Sequence, residues 1–380
     1  MHILRERLAQ TFTALCEISS PSRREQGVAD HLREIFTRLG ADAIIEDGSK
    51  SGTGSESGNL VIRFNGTLPE RDGVFFSCHM DTVEPGEGVQ VERRGNIFTS
   101  RGETVLGGDD KSGIAAIIEM MTVIVENGIE HGLIEIILTT CEEIGLLGAK
   151  HLDRSLVMAD YGYALDSSGI DTVIIGAPAA NKFKIEVTGA AAHAGLNPEQ
   201  GISAIQVAAR AINEIRLGRL DEESTANFGI IHGGVATNIV PEQVIIEGEV
   251  RSHSAAKLAR YTADIEEVFT RTVTDWRNPS KDNTLAPRLR IESLSEYPAM
   301  SLPLDSAVVR RIRAAGEKIG KELKFVIAGG GSDANIFNSF GLPTAIVATG
   351  MSRVHTTDEQ LDLNDLTSLT ELICAVALGE

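Results

Sequence analysis

Three short segments of this chain concentrate side chains that bind metals and move protons. Ser77-Cys78-His79-Met80-Asp81 follows the apolar run Val74–Ser77. An imidazole leaving the carboxyl end of a buried strand stands where α/β sheets gather ligands. Asp81 can take the proton of its far ring nitrogen and so fix the ligating tautomer. Gly107-Gly108-Asp109-Asp110-Lys111-Ser112-Gly113 precedes a helical pattern; one aspartate there would cap the helix, and two between glycines exceed that need. Thr139-Thr140-Cys141-Glu142-Glu143-Ile144-Gly145 ends an apolar run that begins at Leu133. Neighbouring strand residues point to opposite faces, so both acids reach one site only if the strand breaks, and Gly145 permits a break. One carboxylate could then ligate while its neighbour handles the proton of a metal-bound water. Each segment also has an ordinary reading: a loop histidine beside a capping aspartate, an N-cap, a solvated glutamate pair. Asp166 closes a further apolar run, and His355 follows another. Together His79, Asp109, Glu143, Asp166 and His355 supply nitrogen and oxygen ligands at strand ends or helix starts, and their three carboxylates offset most of the charge of two dications. Imidazole with carboxylate suits zinc, whereas magnesium or calcium would favour oxygen alone.

Periodicity predicts the elements that must position these groups. Helices are expected at Leu4–Ile18 and Gly27–Leu39, the second ended by Gly40, and at Lys111–Val125. Strand-like runs occupy Asn59–Phe64, Val74–Ser77, Leu133–Thr140, Tyr163–Leu165 and Val173–Ile175. Apolar strands alternating with helices indicate an α/β layer on a mostly parallel sheet flanked by helices. The pattern changes at Lys182: strand Phe183–Thr188, helix Ser203–Arg216, strands Asn227–His232 and Gln243–Ser252, helix Ala255–Trp276, strand Arg288–Glu292. That is the βαββαβ order of a ferredoxin-like domain. The α/β pattern resumes with helix Asp305–Ile319, strands Leu323–Ala328 and Thr344–Thr349, and helix Leu363–Leu378. Residues 1–178 and 297–380 therefore read as one domain interrupted by a smaller one at 179–296, with hinges near Pro178 and Tyr297. Gly48–Gly58 reads as a mobile surface loop.

Composition narrows the function class. The 380 residues carry 35 basic and 54 acidic side chains, a formal charge of −19, which disfavours nucleic acid and anionic membranes as partners. No apolar run reaches the ~18 residues of a spanning helix. The N-terminal stretch is amphipathic, so no export is expected, and four scattered cysteines without a CxxC pair fit a reducing cytoplasm. Neither a GxSxG elbow nor a phosphate-binding loop is present.

In order and spacing, HMD, GGDDK, CEEIG, YALDSSG and SRVHTTDE resemble the di-zinc exopeptidase family of tripeptidase T, carboxypeptidase G and the aminoacylases, most closely its peptidase T-like members. The resemblance spans nearly the whole chain and implies a catalytic domain with an inserted lid and dimerisation domain. It implies two zinc ions, replaceable by cobalt or manganese: Asp109 would bridge them, His79 and Asp166 would complete one site, and Glu143 and His355 the other. Glu142 would be the general base, Asp81 the residue orienting His79, and His193, in Gly189–Gly195, a lid histidine approaching the scissile carbonyl. A cis Asp109–Asp110 peptide and a homodimer through the inserted domain are also implied. GGVATN with Asn238, Glu249-Val250-Arg251, and Gly329–Asp333 with Ser332 resemble substrate-contacting segments. Arg251 could grip a substrate carboxylate as a guanidinium fork or simply pair with Glu249, two residues away on the same strand face. The expected activity is hydrolysis of small peptides, as an aminopeptidase of the tripeptidase T type. An N-acyl amino acid amidohydrolase or a carboxypeptidase with the same centre is the alternative.

Overall fold

In the computed structural model, which describes residues 2–278 and 284–379, the chain opens with helices α1 (Arg5–Cys16) and α2 (Gln26–Arg38) and strands β1 (Ala43–Glu46), β2 (Leu60–Phe64) and β3 (Val74–His79). Helix α3 (Gly108–Glu126) and strands β4 (Ile134–Thr139), β5 (Tyr161–Ala164) and β6 (Thr172–Ala177) follow. Next come β7 (Ala179–Thr188), α4 (Ala204–Glu214), β8 (Ser224–Gly233), β9 (Gln243–Ser252), α5 (Ala255–Thr274) and β10 (Arg288–Tyr297). The chain ends through β11 (Met300–Ser301), α6 (Ala307–Lys318), β12 (Lys324–Ile327), α7 (Asp333–Ser339), β13 (Thr344–Val347) and α8 (Leu363–Ala377).

Two units result. One holds the residues up to Gly176 and from Met300 onward; the other spans Ala177–Ala299. The first is built on a nine-stranded sheet in the order β1-β2-β4-β3-β5-β13-β6-β11, with β12 on β6. Its centre is parallel, β4 with β3, β3 with β5 and β5 with β13, while β1, β2 and the β13–β6 pair run antiparallel. Every residue of β3, β4 and β5 is buried, as strands covered on both faces must be. Helix α3, buried over most of its length, is apolar all round because it is covered on all sides. The second unit has a five-stranded antiparallel sheet, in which a short Gly218–Arg219 strand precedes β8-β9-β7-β10. Its apolar core includes Phe183, Ile185, Val207, Ile246, Ile265 and Phe269.

Several expectations need correction. Residues 48–58 are not a plain surface loop: Lys50–Thr53 form a short helix, and Ser49, Thr53, Ser55 and Ser57 are buried while Gly48, Lys50, Ser51, Gly52, Gly54 and Glu56 are exposed. The Ser49, Thr53 and Ser55 hydroxyls and the carboxylate of Asp47 accept backbone amides of this stretch and of Asn59, so its buried side is pinned while its other side meets solvent. A four-stranded antiparallel sheet, Val91–Arg94, Ile97–Ser100, Met351–Ser352 and Gln360–Asp362, was not expected, because strands this short and polar carry no period-2 signal. Strand β3 runs two residues further than its apolar run, making His79 its last residue.

Candidate metal centre

The candidate ligands all belong to the first unit. His79 ends β3, and Asp109 lies where the chain enters α3, with the non-helical angles φ −84° and ψ 102°. The Asp109–Asp110 peptide is cis. Glu359 braces that entry: Oε2 accepts the N–H groups of Leu106 and Gly107, both at 2.8 Å, and Oε1 that of Asp109 at 2.9 Å. Strand β4 breaks at Cys141, which has φ 54°, four residues earlier than the Gly145 break anticipated from sequence. The chain then turns back, Leu146 N–H donating to Glu142 O at 2.7 Å and Gly148 N–H to Thr140 O at 2.9 Å. This early break is what releases Glu142 and Glu143 from strand alternation.

The five candidate ligands converge. One ligand atom each from His79, Asp109 and Asp166 lie within 4.8 Å of one another, and so do one each from Asp109, Glu143 and His355. Asp109 thus belongs to both groups. His79 Nε2 is 3.1 Å from Asp109 Oδ1, and His355 Nε2 is 3.2 Å from Asp109 Oδ2 and 3.0 Å from Glu143 Oε1. A further cluster of the same span joins His79, Glu142 and Glu143.

Asp81 contacts His79 chiefly through its main-chain oxygen. His79 Nδ1 is 2.9 Å from the main-chain oxygen of Asp81 and 3.5 Å from its Oδ1. The carboxylate is taken up elsewhere: Oδ1 accepts the N–H of Glu142 at 3.0 Å, while Oδ2 accepts that of Glu143 at 3.2 Å and the Ser22 hydroxyl at 2.6 Å. Asp81 therefore orients His79 and the two glutamates at once.

The electrostatics describe an excess of buried negative charge. Burial, then the charge of Asp166, push the Glu142 carboxyl well above the usual range. Burial and the charge of Asp109 do the same to Asp166. Asp109 is held low despite its burial, by the imidazoles of His355 and His79. His355 is raised to about 10, mainly by Asp109 and Glu143. Two buried carboxylates outside the cluster have fixed cations, Glu119 with Arg7 and Glu135 with Arg63. Here the charge-balancing partners are histidines, whose neutral form is itself a ligand. Glu143 Oε1 is buried and makes no well-formed hydrogen bond. Oxygen and imidazole donors converging around unsatisfied negative charge fit a pair of divalent cations.

The remaining sequence candidates are not members of these clusters. Ser332 is the buried N-cap of α7, its Oγ accepting the Ala334 N–H at 3.3 Å. His193 and Asn238 sit together in the second unit, where His193 bridges Ile239 and the Ala194 N–H donates to Asn238 O at 2.9 Å. Arg251 forks onto Glu249, with Nε–Oε1 2.9 Å and Nη2–Oε2 3.1 Å. Sequence reasoning gives Glu25, Glu359 and Asp333 no role, although Glu359 and Asp333 fall inside the SRVHTTDE and Gly329–Asp333 segments. Asp333, pushed up to about 6 by burial, accepts the Thr139 hydroxyl. No local pattern marks their roles; each acts on chain that is distant in sequence.

Residues 75–379 match the model of "Peptidase family M20/M25/M40". The chain belongs to this family. By that membership the protein is a metal-dependent peptide hydrolase, and the carboxylate–imidazole cluster supplies donors for a divalent metal. It is 39% identical over 98% of its length, and 97% of the relative's, to the uncharacterized protein YqjE of Bacillus subtilis (strain 168). A tripeptidase structure from Staphylococcus aureus subsp. aureus Mu50 superposes with a TM-score of 0.92 at 36% identity, covering 99% of this chain and 98% of that one. The aminopeptidase PepT of Bacillus cereus ATCC 10987 gives 0.88 at 38% identity, with the same coverage. Among the described residues, no helix is long and apolar enough to cross a membrane.

Proposed function

We propose that the protein is an aminopeptidase of the tripeptidase type, cleaving the amino-terminal residue from small peptides with two zinc ions. His79, Asp109 and Asp166 would hold one ion and Asp109, Glu143 and His355 the other; cobalt or manganese would substitute. The observation that carries the reading is the membership of Asp109 in two ligand clusters at once, which suits a bridging carboxylate. The likeness to a tripeptidase and an aminopeptidase above one-third identity adds the substrate class. Mixed imidazole and carboxylate donors favour zinc.

Bound cations would supply an electrophile for the scissile carbonyl and lower the pKa of the attacking water. Glu142, half-buried and with its carboxyl pushed well above the usual range by desolvation, would take that water's proton and return it to the departing amine. Asp81 keeps both Glu142 and His79 in position through the bonds described above. His193 would donate to the oxyanion as charge develops there. Arg251 would exchange Glu249 for the terminal carboxylate of the substrate, with Asn238 beside it, and Ser332 would meet substrate through the turn that it caps. The reading also includes a cytoplasmic site of action, in keeping with four free cysteines. It includes a homodimer formed by the second unit, where Ile230 and Ile231 are 47% and 57% exposed on β8.

The test is a screen of tripeptides, dipeptides and N-acyl amino acids with zinc-loaded protein. Tripeptides with free amino ends are the expected substrates. Preferred cleavage of N-acyl amino acids would replace this reading with the amidohydrolase one, and release of the carboxyl-terminal residue with the carboxypeptidase one.

A further inference from the structure

The segment Ser20–Glu25, which precedes the family-matched residues, crosses the ends of β3 and β4. Ser20 O accepts the Thr82 N–H at 3.0 Å, and Ser20 Oγ donates to Met80 O at 2.8 Å. Ser22 donates to Asp81 as described. Glu25, fully buried, accepts the backbone N–H of Cys141 on Oε1 at 3.0 Å, with Cys141 Sγ at 3.4 Å. The same oxygen takes the Arg23 N–H at 3.0 Å, and Oε2 accepts the hydroxyl of buried Ser55.

Glu25 is the N-cap residue of α2, but its side chain makes no capping bond to that helix. Its carboxylate is turned instead to the site where β4 breaks. Three successive N–H groups are thereby held by two buried carboxylates, Cys141 by Glu25 and Glu142 and Glu143 by Asp81. Cys141 has φ 54°, a region that side-chain-bearing residues seldom occupy without outside support. Its conformation decides the direction in which the next two side chains leave the chain.

We propose that Glu25, tethered by Ser55, is a positioning residue for peptide hydrolysis, clamping the Cys141 N–H so that Glu142 and Glu143 project into the metal centre. This rests on the peptidase reading above. Buried Ser55, pinned through its own backbone amide to Thr53, is then the anchor of the clamp.

The experiment compares Glu25→Ala, Glu25→Gln and Ser55→Ala with the unmodified protein. It measures kcat and KM on a tripeptide at saturating zinc, and amide hydrogen exchange at Cys141–Glu143 in the metal-free protein. Partners one layer behind a ligand commonly contribute 10–100-fold, so Glu25→Ala should lower kcat by about that factor with KM within about twofold, the signature of an interaction needed at the reacting step. Exchange at the three amides should quicken while the rest of β4 is unaffected. Glu25→Gln keeps an oxygen acceptor for Cys141 and should recover most of the loss. If Glu25→Ala does not fold, Ser55→Ala decides, with a smaller effect of the same kind expected. Unchanged kcat and exchange in a folded Glu25→Ala or Ser55→Ala variant overturns the proposal, as does a Glu25→Gln variant as slow as Glu25→Ala. If the unmodified protein cleaves no peptide, the exchange measurement still decides the clamp, and only the peptidase reading falls.

Discussion

Oε1 of Glu359 accepts the backbone N–H of Asp109 at 2.9 Å, although 250 residues separate them. The other oxygen of Glu359 takes the two amides of Leu106 and Gly107. One buried carboxylate thus holds the whole entry to α3 and presents the Asp109 side chain. Glu359→Ala leaves three buried N–H groups without their acceptor. At about 1–3 kcal/mol for an unsatisfied buried donor, stability should fall by at least about 2 kcal/mol in urea unfolding, and metal retained after dialysis should drop with it. Unchanged metal content and midpoint would show that water replaces Glu359 without cost.

Glu142→Gln removes the proposed proton carrier and leaves the five candidate ligands intact. Turnover should fall by about 10²–10⁴-fold while metal analysis still finds two ions per chain. Loss of one ion in this variant would make Glu142 a ligand.

Asp109→Ala should lose both ions or leave one weakly held, because Asp109 belongs to both clusters. A chelator should likewise inactivate the unmodified protein, with zinc restoring activity. Retention of two tightly bound ions by the alanine variant would rule out a bridging role.

Arg251 is engaged by Glu249 in a forked pair, an interaction that in a partly exposed setting contributes at most about 1 kcal/mol. A substrate carboxylate can therefore compete for the guanidinium. Tripeptides with a free carboxyl end should be better substrates than their amides, and Arg251→Ala should erase the difference by weakening only the acids. Equal kcat/KM for acid and amide in the unmodified protein would leave Arg251 with its structural pairing alone. Acetylating the amino end should stop cleavage; faster cleavage of acetylated substrates would favour the amidohydrolase.

What the sequence alone determined was the identity of the chemical groups and the elements that carry them. Apolar runs such as Val74–Ser77 and Leu133–Thr140 declare buried strands, since a strand covered on both faces has no polar alternation to hide. His79, Asp109, Glu143, Asp166 and His355 stand out because acids and imidazoles at the ends of such runs conflict with burial unless something binds them. The βαββαβ order of the smaller unit is legible for the same reason of periodicity. The tertiary structure decided everything that depends on contacts between distant segments. The carboxylate of Asp81 turned out to serve the amides of Glu142 and Glu143, 61 and 62 residues away. The break in β4 fell at Cys141, and Ser49, Ser55 and Ser57 proved buried. Glu25 and Glu359 gained their partners 116 and 250 residues distant. A buried carboxylate is stable only beside its donors, and those donors are backbone N–H groups that every residue but proline carries. Such pairing leaves no residue-type signature in the chain, so only the folded arrangement could reveal it.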